Sequence, residues 1–290
     1  NRCTFCVTTI ARGPGRSRAT AEIVAEIQAL AEAGYREAVL TGVHLGSYGH
    51  DRGEKDGLQA LVAAILTDTD MPRLRLSSLE PWDVSPAFFA LWSNPRLCRH
   101  LHLPLQSGCD ATLRRMARRT SQAAFRTLVR EARSQIPELA LSTDIIAGFP
   151  GETDAEFETS LAFVREMEFM KLHVFRYSPR AGTAAARFND QVPEEVKKER
   201  SARLLALSDE GARRFAEAFV GRTLPVLWEQ VAGATEAGFV NSGLTGNYLR
   251  VELIAPEALT NTISCARLVQ VTDVGLRAEH ARETGGPEGA

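Results

Sequence analysis

The sequence lacks the features that would place it outside ordinary globular proteins. Its net charge is −2 over 290 residues, so no overall basic signature points to nucleic acid. No apolar run approaches the roughly 20 residues of a membrane-spanning helix, and we expect no membrane partner. The cysteines number only five, an odd count spread unevenly along the chain, which argues against a disulfide framework. A reduced cytoplasmic location is therefore predicted.

The chain begins at Asn1, without methionine, and enters a cysteine motif within three residues. A natural domain rarely starts inside such a motif, so we expect a fragment whose N-terminal part is absent. With 44% hydrophobic and 24% charged residues, the chain has the composition of a globular protein. Its length permits one large domain and a small one.

Helical and extended patterns alternate through the first two thirds of the chain. Ile23, Ile27 and Leu30 recur at helical spacing before Gly34, and the apolar run at 37–43 follows. The same alternation predicts further strands at 73–81, 100–108, 139–152 and 171–179. Strands that alternate with helices form βαβ units on a parallel sheet, and one more strand before Asn1 would give about six in an open α/β barrel.

Polar and glycine-containing segments follow each of these strands. They include Gly42-Val43-His44, Ser77 to Glu80, Gln106-Ser107-Gly108, Gly148 to Glu152, and Tyr177 to Arg180. Ligands of parallel sheets bind at the carboxyl ends of the strands. A binding site is therefore predicted at this edge.

The pattern changes after Pro193, where a long charged helix precedes short strands with Gly and Asn turns. Short strands of this kind predict a small all-β barrel. We predict an α/β domain over 1–217, the β-barrel over 218–277, and a disordered tail over 278–290.

The segment Cys3-Thr4-Phe5-Cys6 is compatible with zinc, redox or iron–sulfur chemistry. A zinc ribbon needs a second pair, which Cys98, Cys109 and Cys265 do not supply, and no thioredoxin-like unit follows. An iron–sulfur cluster needs one more thiolate, which could precede Asn1. We expect Cys98 and Cys109 to be inert structural cysteines and Cys265 to lie in a core.

An ordered series of motifs over residues 1–275 carries a resemblance to a known family. The strings RCTFC, LTGVHLGSYG, LSSLEP, HLPLQSG, TDIIAGFPGET and HVFRYSPRAGT follow one another at suitable spacing. The chain resembles the radical S-adenosylmethionine methylthiotransferases, most of all the bacterial tRNA type that acts on N6-threonylcarbamoyladenosine.

The resemblance implies a cofactor set. The family pattern is C-x-x-x-C-x-x-C, in which Cys3 and Cys6 match the second and third cysteines. These would hold a 4Fe-4S cluster whose open iron binds S-adenosylmethionine. A second 4Fe-4S cluster is expected in the N-terminal domain that is absent here. The family fold is a radical-enzyme barrel followed by a TRAM domain that binds RNA.

The resemblance also implies roles at the strand ends. Contacts to S-adenosylmethionine are expected from Phe5, Gly42, Glu80, Gln106, Arg118, Asp144 and Gly148. Contacts to the substrate are expected from Arg12, Tyr177 and Arg180. Of these, Asp144 is as well explained by capping a neighbouring loop as by a ligand contact.

The expected reaction is insertion of a methylthio group at C2 of the modified adenosine next to the tRNA anticodon, with flavodoxin or ferredoxin as electron donor and no DNA partner. The nearest alternatives are isopentenyladenosine in tRNA or a ribosomal-protein aspartate as substrate. A catalytically inactive RNA-binding fragment is the alternative of another class. The segment 222–275, with three Arg and no Lys against four Glu and one Asp, lacks the usual electrostatic footprint for RNA.

Overall fold

A computed structural model describes residues 3–281. The chain divides into two compact units, Asn1–Ala212 and Arg213–Ala290. The division falls within the long helix α8, Glu194–Glu217, whose last residue is where the sequence placed the domain boundary. Among the described residues, no helix is both long and apolar enough to cross a membrane.

The first unit alternates parallel strands with helices. Its strands are β1 Glu37–Leu40, β2 Arg73–Leu76, β3 His100–His102, β4 Ala140–Ala147 and β5 Lys171–Arg176. Its helices before α8 are α1 Thr8–Arg12, α2 Thr20–Glu32, α3 Gly57–Asp68, α4 Pro86–Phe89, α5 Asp110–Arg115, α6 Gln122–Gln135 and α7 Asp154–Glu166. Strand β1 pairs with β2, and β3 with β4 and β4 with β5, all in parallel. The predicted α/β architecture is confirmed.

Local sequence fixes where several helices begin. Thr153 caps α7, and Glu156 returns a bond to the backbone of Thr153, so two otherwise unpaired N–H groups are satisfied. The Ser85 side chain accepts from the Phe88 N–H ahead of α4, where Pro86 occupies the first turn. These caps lie at the carboxyl ends of the strands, so they also fix the loops of the site.

The two faces of the strands differ in chemistry. One face contributes Leu74, Leu76, Leu141, Ile145 and Leu172 to a hydrophobic core that includes residues of the helices. Because side chains alternate along a strand, the next residues face the other way. That opposite face carries Glu37, Arg75, His100, His102, Asp144 and His173. A closed barrel of parallel strands normally fills its interior with branched apolar side chains, so this polar face is not an ordinary packed core.

The second unit is a closed five-stranded barrel in the order β10-β8-β7-β6-β9. Its strands are β6 Thr223–Thr235, β7 Gly238–Thr245, β8 Arg250–Ala255, β9 Thr262–Thr272 and β10 Gly275–His280. Trp228, Val251 and Leu268 are fully buried in its core. The predicted small all-β barrel is confirmed.

Two details of the sequence prediction are wrong in this unit. Strand β10 continues to His280, so residues 278–280 belong to the barrel and not to a tail. Cys265 is exposed and does not lie in the core. Its neighbour Ala266 is fully buried, and alternation along β9 turns the Cys265 side chain outward. The remainder of the predicted tail, from 282 onward, lies outside the described residues.

Candidate functional site

The cysteine motif is held in place by backbone hydrogen bonds from two sides. The Thr4 N–H donates to the Met116 carbonyl at 3.0 Å, and the Thr4 hydroxyl donates to the Arg115 carbonyl at 2.9 Å. From the other side, the Ala185 N–H donates to the Thr4 carbonyl at 2.9 Å. The motif is therefore fixed between the end of α5 and the segment that follows β5.

Glu80 and Arg118 form a buried ion pair beside this motif. The Arg118 guanidinium donates to both Glu80 carboxylate oxygens, at 2.7 and 3.2 Å, and to the Pro104 carbonyl. Its Nη1 lies 3.6 Å from the Cys3 sulfur, and its carbon lies 4.6 Å from the centre of a Trp82 ring. Burial alone would lower the pKa of Arg118, but the contacts with Glu80 and Cys3 prevail and raise it. Arg118 is therefore a fixed cation.

Gly148 lies in a loop that only glycine can form as it stands. Its φ is +72°, and a Cβ would come within 2.4 Å of the Lys197 Cγ. The Gly148 N–H donates to Glu152 at 2.8 Å, and Arg200 donates to the same carboxylate at 2.8 Å. Burial raises the pKa of Glu152, against the effects of the Gly148 N–H and Arg200. This loop is thus anchored to α8.

Aromatic side chains connect the glycine loop to the cysteine motif. Phe149 meets Phe5 edge to face, with ring centroids 6.4 Å apart, and Tyr177 at 5.4 Å. Tyr177 is only 5% exposed, and its hydroxyl has no hydrogen-bond partner among residues 3–281. A buried hydroxyl without a partner costs about 1–3 kcal/mol. This hydroxyl is therefore suited to a polar atom of a ligand.

Asp144 lies on the polar face and not in a loop. Its Oδ1 is 3.3 Å from the His102 Nε2, while the Nδ1 of the same imidazole lies 2.9 Å from the Ser142 hydroxyl. The His173 ring centre is 5.3 Å from that of His102. Burial, and then the neighbouring His102, lower the pKa of His173. His102 and His173 were missed as site residues, although period-two alternation in HLH and KLH places them on one face with Asp144.

The other predicted positions differ in how closely the structure constrains them. The nearest atom to a Cβ at Gly42 would be the Leu45 Cα at 3.5 Å, which is ordinary contact. Gln106 has a φ of 75°, and its N–H donates to the Asp144 carbonyl at 2.8 Å. Arg12 and Arg180 are exposed, and neither forms an ion pair with a described residue. The structure thus leaves both arginines available to an anion.

The remaining cysteines in the first unit are poor ligands. Cys98 is buried, and burial raises the pKa of its thiol to about 12. Cys109 is also buried. Over residues 3–281, no group of three or more His, Cys, Asp or Glu side chains is arranged to hold a metal ion. Cys3 and Cys6 are free and partly exposed, so they are the accessible thiols of this unit.

The parallel strands and the cysteine motif at their carboxyl ends define a class. Residues 1–164 match the Radical SAM superfamily. The chain belongs to this superfamily, whose members bind a 4Fe-4S cluster and S-adenosylmethionine. Two soft thiols in one tight turn, with a fixed cation at 3.6 Å from one sulfur, fit two ligand positions of such a cluster.

Similar proteins with named activities fall into two groups. The chain is 37% identical to "Threonylcarbamoyladenosine tRNA methylthiotransferase MtaB" of Bacillus subtilis over 93% of its own length and 60% of that protein. It is 38% identical to "tRNA-2-methylthio-N(6)-dimethylallyladenosine synthase" of Geobacillus thermodenitrificans over 97% of its length and 54% of that protein. The chain therefore spans little more than half of these relatives.

Solved structures agree with this fold at low sequence identity. Coproporphyrinogen III oxidase of Escherichia coli, a radical SAM enzyme, matches with a TM-score of 0.54 at 14% identity, over 86% of this chain and 63% of that one. The methyltransferase TsrM of Kitasatospora setae matches with a TM-score of 0.53 at 19% identity, over 64% and 36%. These likenesses concern the fold alone.

Proposed function

We propose that this chain is part of a tRNA methylthiotransferase that modifies C2 of N6-threonylcarbamoyladenosine next to the anticodon. The observation that carries the proposal is the cysteine motif, docked at the carboxyl ends of parallel strands beside the Glu80–Arg118 pair. The similarity to tRNA methylthiotransferases over more than nine tenths of the chain supports the reaction class.

In this proposal Cys3 and Cys6 hold the cluster, which together with S-adenosylmethionine supplies radical chemistry when bound. The chain's own residues position the bound ligand and shield it from water. Phe5 is partly exposed and packs against the fully buried Phe149, so its ring presents an apolar surface within the cysteine motif. Such a surface excludes water and suits the flat face of an adenine ring. The unpartnered Tyr177 hydroxyl is available to one polar atom of that ligand.

The polar strand face supports a substrate with a polar N6 substituent. A threonylcarbamoyl group carries amide N–H groups, a hydroxyl and a carboxylate, whereas a dimethylallyl group is entirely apolar. Asp144, His102 and His173 place hydrogen-bonding atoms on this face. The Asp144 side chain is 24% exposed and His173 is exposed, so this face is open to a ligand. Arg180 adds an exposed guanidinium after β5, which can pair with a carboxylate in two parallel bonds. Dimethylallyladenosine is the second candidate, because relatives of that name match equally well.

The ligand assignment is tested in the complete protein, reconstituted anaerobically with iron and sulfide. Cys3→Ala and Cys6→Ala should each abolish the S-adenosylmethionine-responsive signal in electron paramagnetic resonance, because each removes a thiolate ligand. Cys265→Ala, which changes an exposed cysteine of the second unit, should leave iron and sulfide content unchanged. A persistent signal in Cys3→Ala would refute the ligand role of Cys3.

The substrate is tested with tRNA that carries either modification, using mass spectrometry of the nucleosides. Arg180→Ala should lower methylthiolation of threonylcarbamoyl tRNA about tenfold to a hundredfold, the usual effect of one charge-assisted bond of about 1.5–3 kcal/mol. Cleavage of S-adenosylmethionine without tRNA should persist. Arg130→Ala, an exposed arginine on helix α6, is the matched control.

Three results would overturn the proposal at different levels. Conversion of dimethylallyladenosine alone would reverse the substrate choice. Unchanged activity in Arg180→Ala would remove Arg180 from the site. tRNA binding by a cluster-loaded protein with no methylthiolation of either tRNA would favour an RNA-binding protein without this activity.

A further inference from the structure

Arg118 lies among several close partners, although its buried Nε–H has no hydrogen-bond partner among the described residues. Its side chain is 2% exposed, and it contacts Glu80, the Pro104 carbonyl, Trp82 and the Cys3 sulfur. A buried guanidinium is costly unless its charge is compensated and most of its N–H groups are bonded. Glu80 provides that compensation, and Nη1, which carries two N–H groups, donates to both Glu80 and Cys3.

The contact with Cys3 is fixed by the backbone and not only by the side chain. The Arg118 N–H donates to the Leu113 carbonyl at 2.9 Å, which ties the residue to α5. The same helix end receives both hydrogen bonds of Thr4, the neighbour of Cys3. Ala117, which directly precedes Arg118, adopts a φ of +54° and ends the helical turn there. The guanidinium and the sulfur are therefore held by one local unit.

We infer that Arg118 sets the reduction potential of the cluster through its hydrogen bond to the Cys3 sulfur, and that Glu80 limits the size of this effect. The inference rests on the proposed ligand role of Cys3, and it does not depend on the tRNA reaction. Hydrogen bonds and charges near the sulfur ligands are among the factors that set the potential of an iron–sulfur cluster.

The direction follows from electrostatics. Reduction adds one negative charge to the cluster, so a cation bonded to a ligand sulfur stabilises the reduced form and raises the potential. Loss of the cation should lower the potential. Loss of the Glu80 charge leaves the cation uncompensated and should raise the potential. A residue that merely supports the fold predicts no such pair of opposite shifts.

The test is a redox titration of the cluster in the complete, cluster-loaded protein, followed by electron paramagnetic resonance without S-adenosylmethionine or tRNA. The signal of this cluster is the one lost in Cys3→Ala. We expect Arg118→Gln to reduce the ratio of reduced to oxidised cluster about tenfold at a fixed potential, which is a fall of about 59 mV for one electron. Glu80→Gln should move the midpoint the other way.

Arg119→Gln is the matched control. The substitution removes the same charge at the next residue of the chain. Arg119 also lies over Trp82, with its guanidinium carbon 5.8 Å from the ring centre, but it is exposed and has no contact with the cysteine sulfur. Its midpoint should equal that of the unaltered protein within a few millivolts. Because S-adenosylmethionine is left out, any role of Arg118 toward that ligand does not enter the measurement.

The outcomes separate the inference from the proposed function. If Cys3→Ala keeps the signal, the ligand role fails, and the inference fails with it. If Cys3→Ala loses the signal but Arg118→Gln and Arg119→Gln have the same midpoint, only the inference is wrong. If Arg118→Gln cannot hold a cluster, Glu80→Gln decides: an upward shift supports the inference, and an unchanged or lower midpoint overturns it.

Discussion

Among the described residues, buried arginines lie in the α/β unit and not in the barrel unit. In the α/β unit, the side chains of Arg75, Arg118 and Arg200 are only 2%, 2% and 5% exposed, and each faces a glutamate. In the barrel unit, the Arg213 side chain pairs with Glu217 and is 76% exposed. A buried ion pair costs desolvation that its mutual attraction rarely exceeds. The α/β unit therefore holds charge in positions that stability alone does not favour.

This difference indicates which unit contains the functional site. Buried, fixed charges cluster at functional sites because they must act on a ligand without rearranging. Two of the four buried arginines, Arg118 and Arg200, lie at the strand ends, beside the cysteine motif or the Gly148 loop. The barrel has an apolar core around Trp228, and between 222 and 275 it has three Arg and no Lys against four Glu and one Asp. Under the proposed function, we therefore expect the barrel to bind RNA with little dependence on charge.

The largest expected effect is a loss of stability on breaking a buried ion pair, compared with breaking an exposed one. Arg200→Met leaves the Glu152 carboxylate buried without its partner, and this should cost about 3–5 kcal/mol in the free energy of unfolding. The measurement is urea unfolding followed by far-ultraviolet circular dichroism, which reports chiefly on the helices of the α/β unit.

Arg213→Met is the control for that change, since it removes an exposed partner of Glu217 and should leave the unfolding midpoint unchanged. Combining Arg200→Met with Glu152→Gln removes both charges and keeps an acceptor for the Gly148 N–H, so much of the lost stability should return. Equal losses for Arg200→Met and Arg213→Met would show that burial of the pair does not matter.

A smaller effect should appear in the pH dependence of the α/β unit. Burial, and then Arg75, His102 and His173, lower the pKa of His100 to about 3. In the unfolded chain a histidine takes up its proton near pH 6.5. Below that pH the unfolded state binds one more proton, so stability should fall as pH drops from about 6.5 toward 3. Between pH 6.5 and 5 this amounts to about 1.6 kcal/mol.

His100→Gln should remove this slope while keeping a partner for the Ser142 hydroxyl, which lies 3.0 Å from the imidazole Nε2. The urea midpoint at several pH values is the measurement. His280→Gln, at an exposed position of the barrel, should retain the full slope. An unaltered slope in His100→Gln would show that His100 is protonated as readily in the folded chain as in the unfolded one.

Much of the fold was predictable because periodicity is a local property. The alternation of helix and strand placed every strand of the first unit, with ends that extended too far. The strand predicted at 100–108 stops at His102, because Pro104 has no N–H to donate and Gln106 takes a φ of 75°. The short helices α1 and α5 were missed, since five or six residues carry too little periodicity.

The site was predictable as a location and less so as a set of contacts. Glu80 and Arg118 were each assigned to S-adenosylmethionine, yet they bind one another across 38 residues of sequence. No local pattern encodes such a pairing. The polar face was within reach, because polar residues recur at alternate positions of β3, β4 and β5: His100 and His102, Ser142 and Asp144, Lys171 and His173. That inference also requires knowing which strands are neighbours.

The smallest expected effect concerns the barrel and RNA. Tyr248 lies in the turn between β7 and β8, where its side chain is 41% exposed on a backbone with a φ of 68°. An exposed aromatic ring can stack on an unpaired base whatever the sequence, and such stacking contributes about 1–3 kcal/mol per base. Tyr248→Ala should weaken tRNA binding by the complete protein about fivefold to tenfold. Since no charge is lost, the dependence of the affinity on salt concentration should not change.

Tyr248→Phe keeps the ring and should bind as the unaltered protein does. Arg12→Ala, in the α/β unit, should instead lower the salt slope by about one counterion if Arg12 contacts a phosphate. A flatter salt slope in Tyr248→Ala, or an affinity equal to that of Tyr248→Phe, would show that the barrel does not bind RNA through this ring.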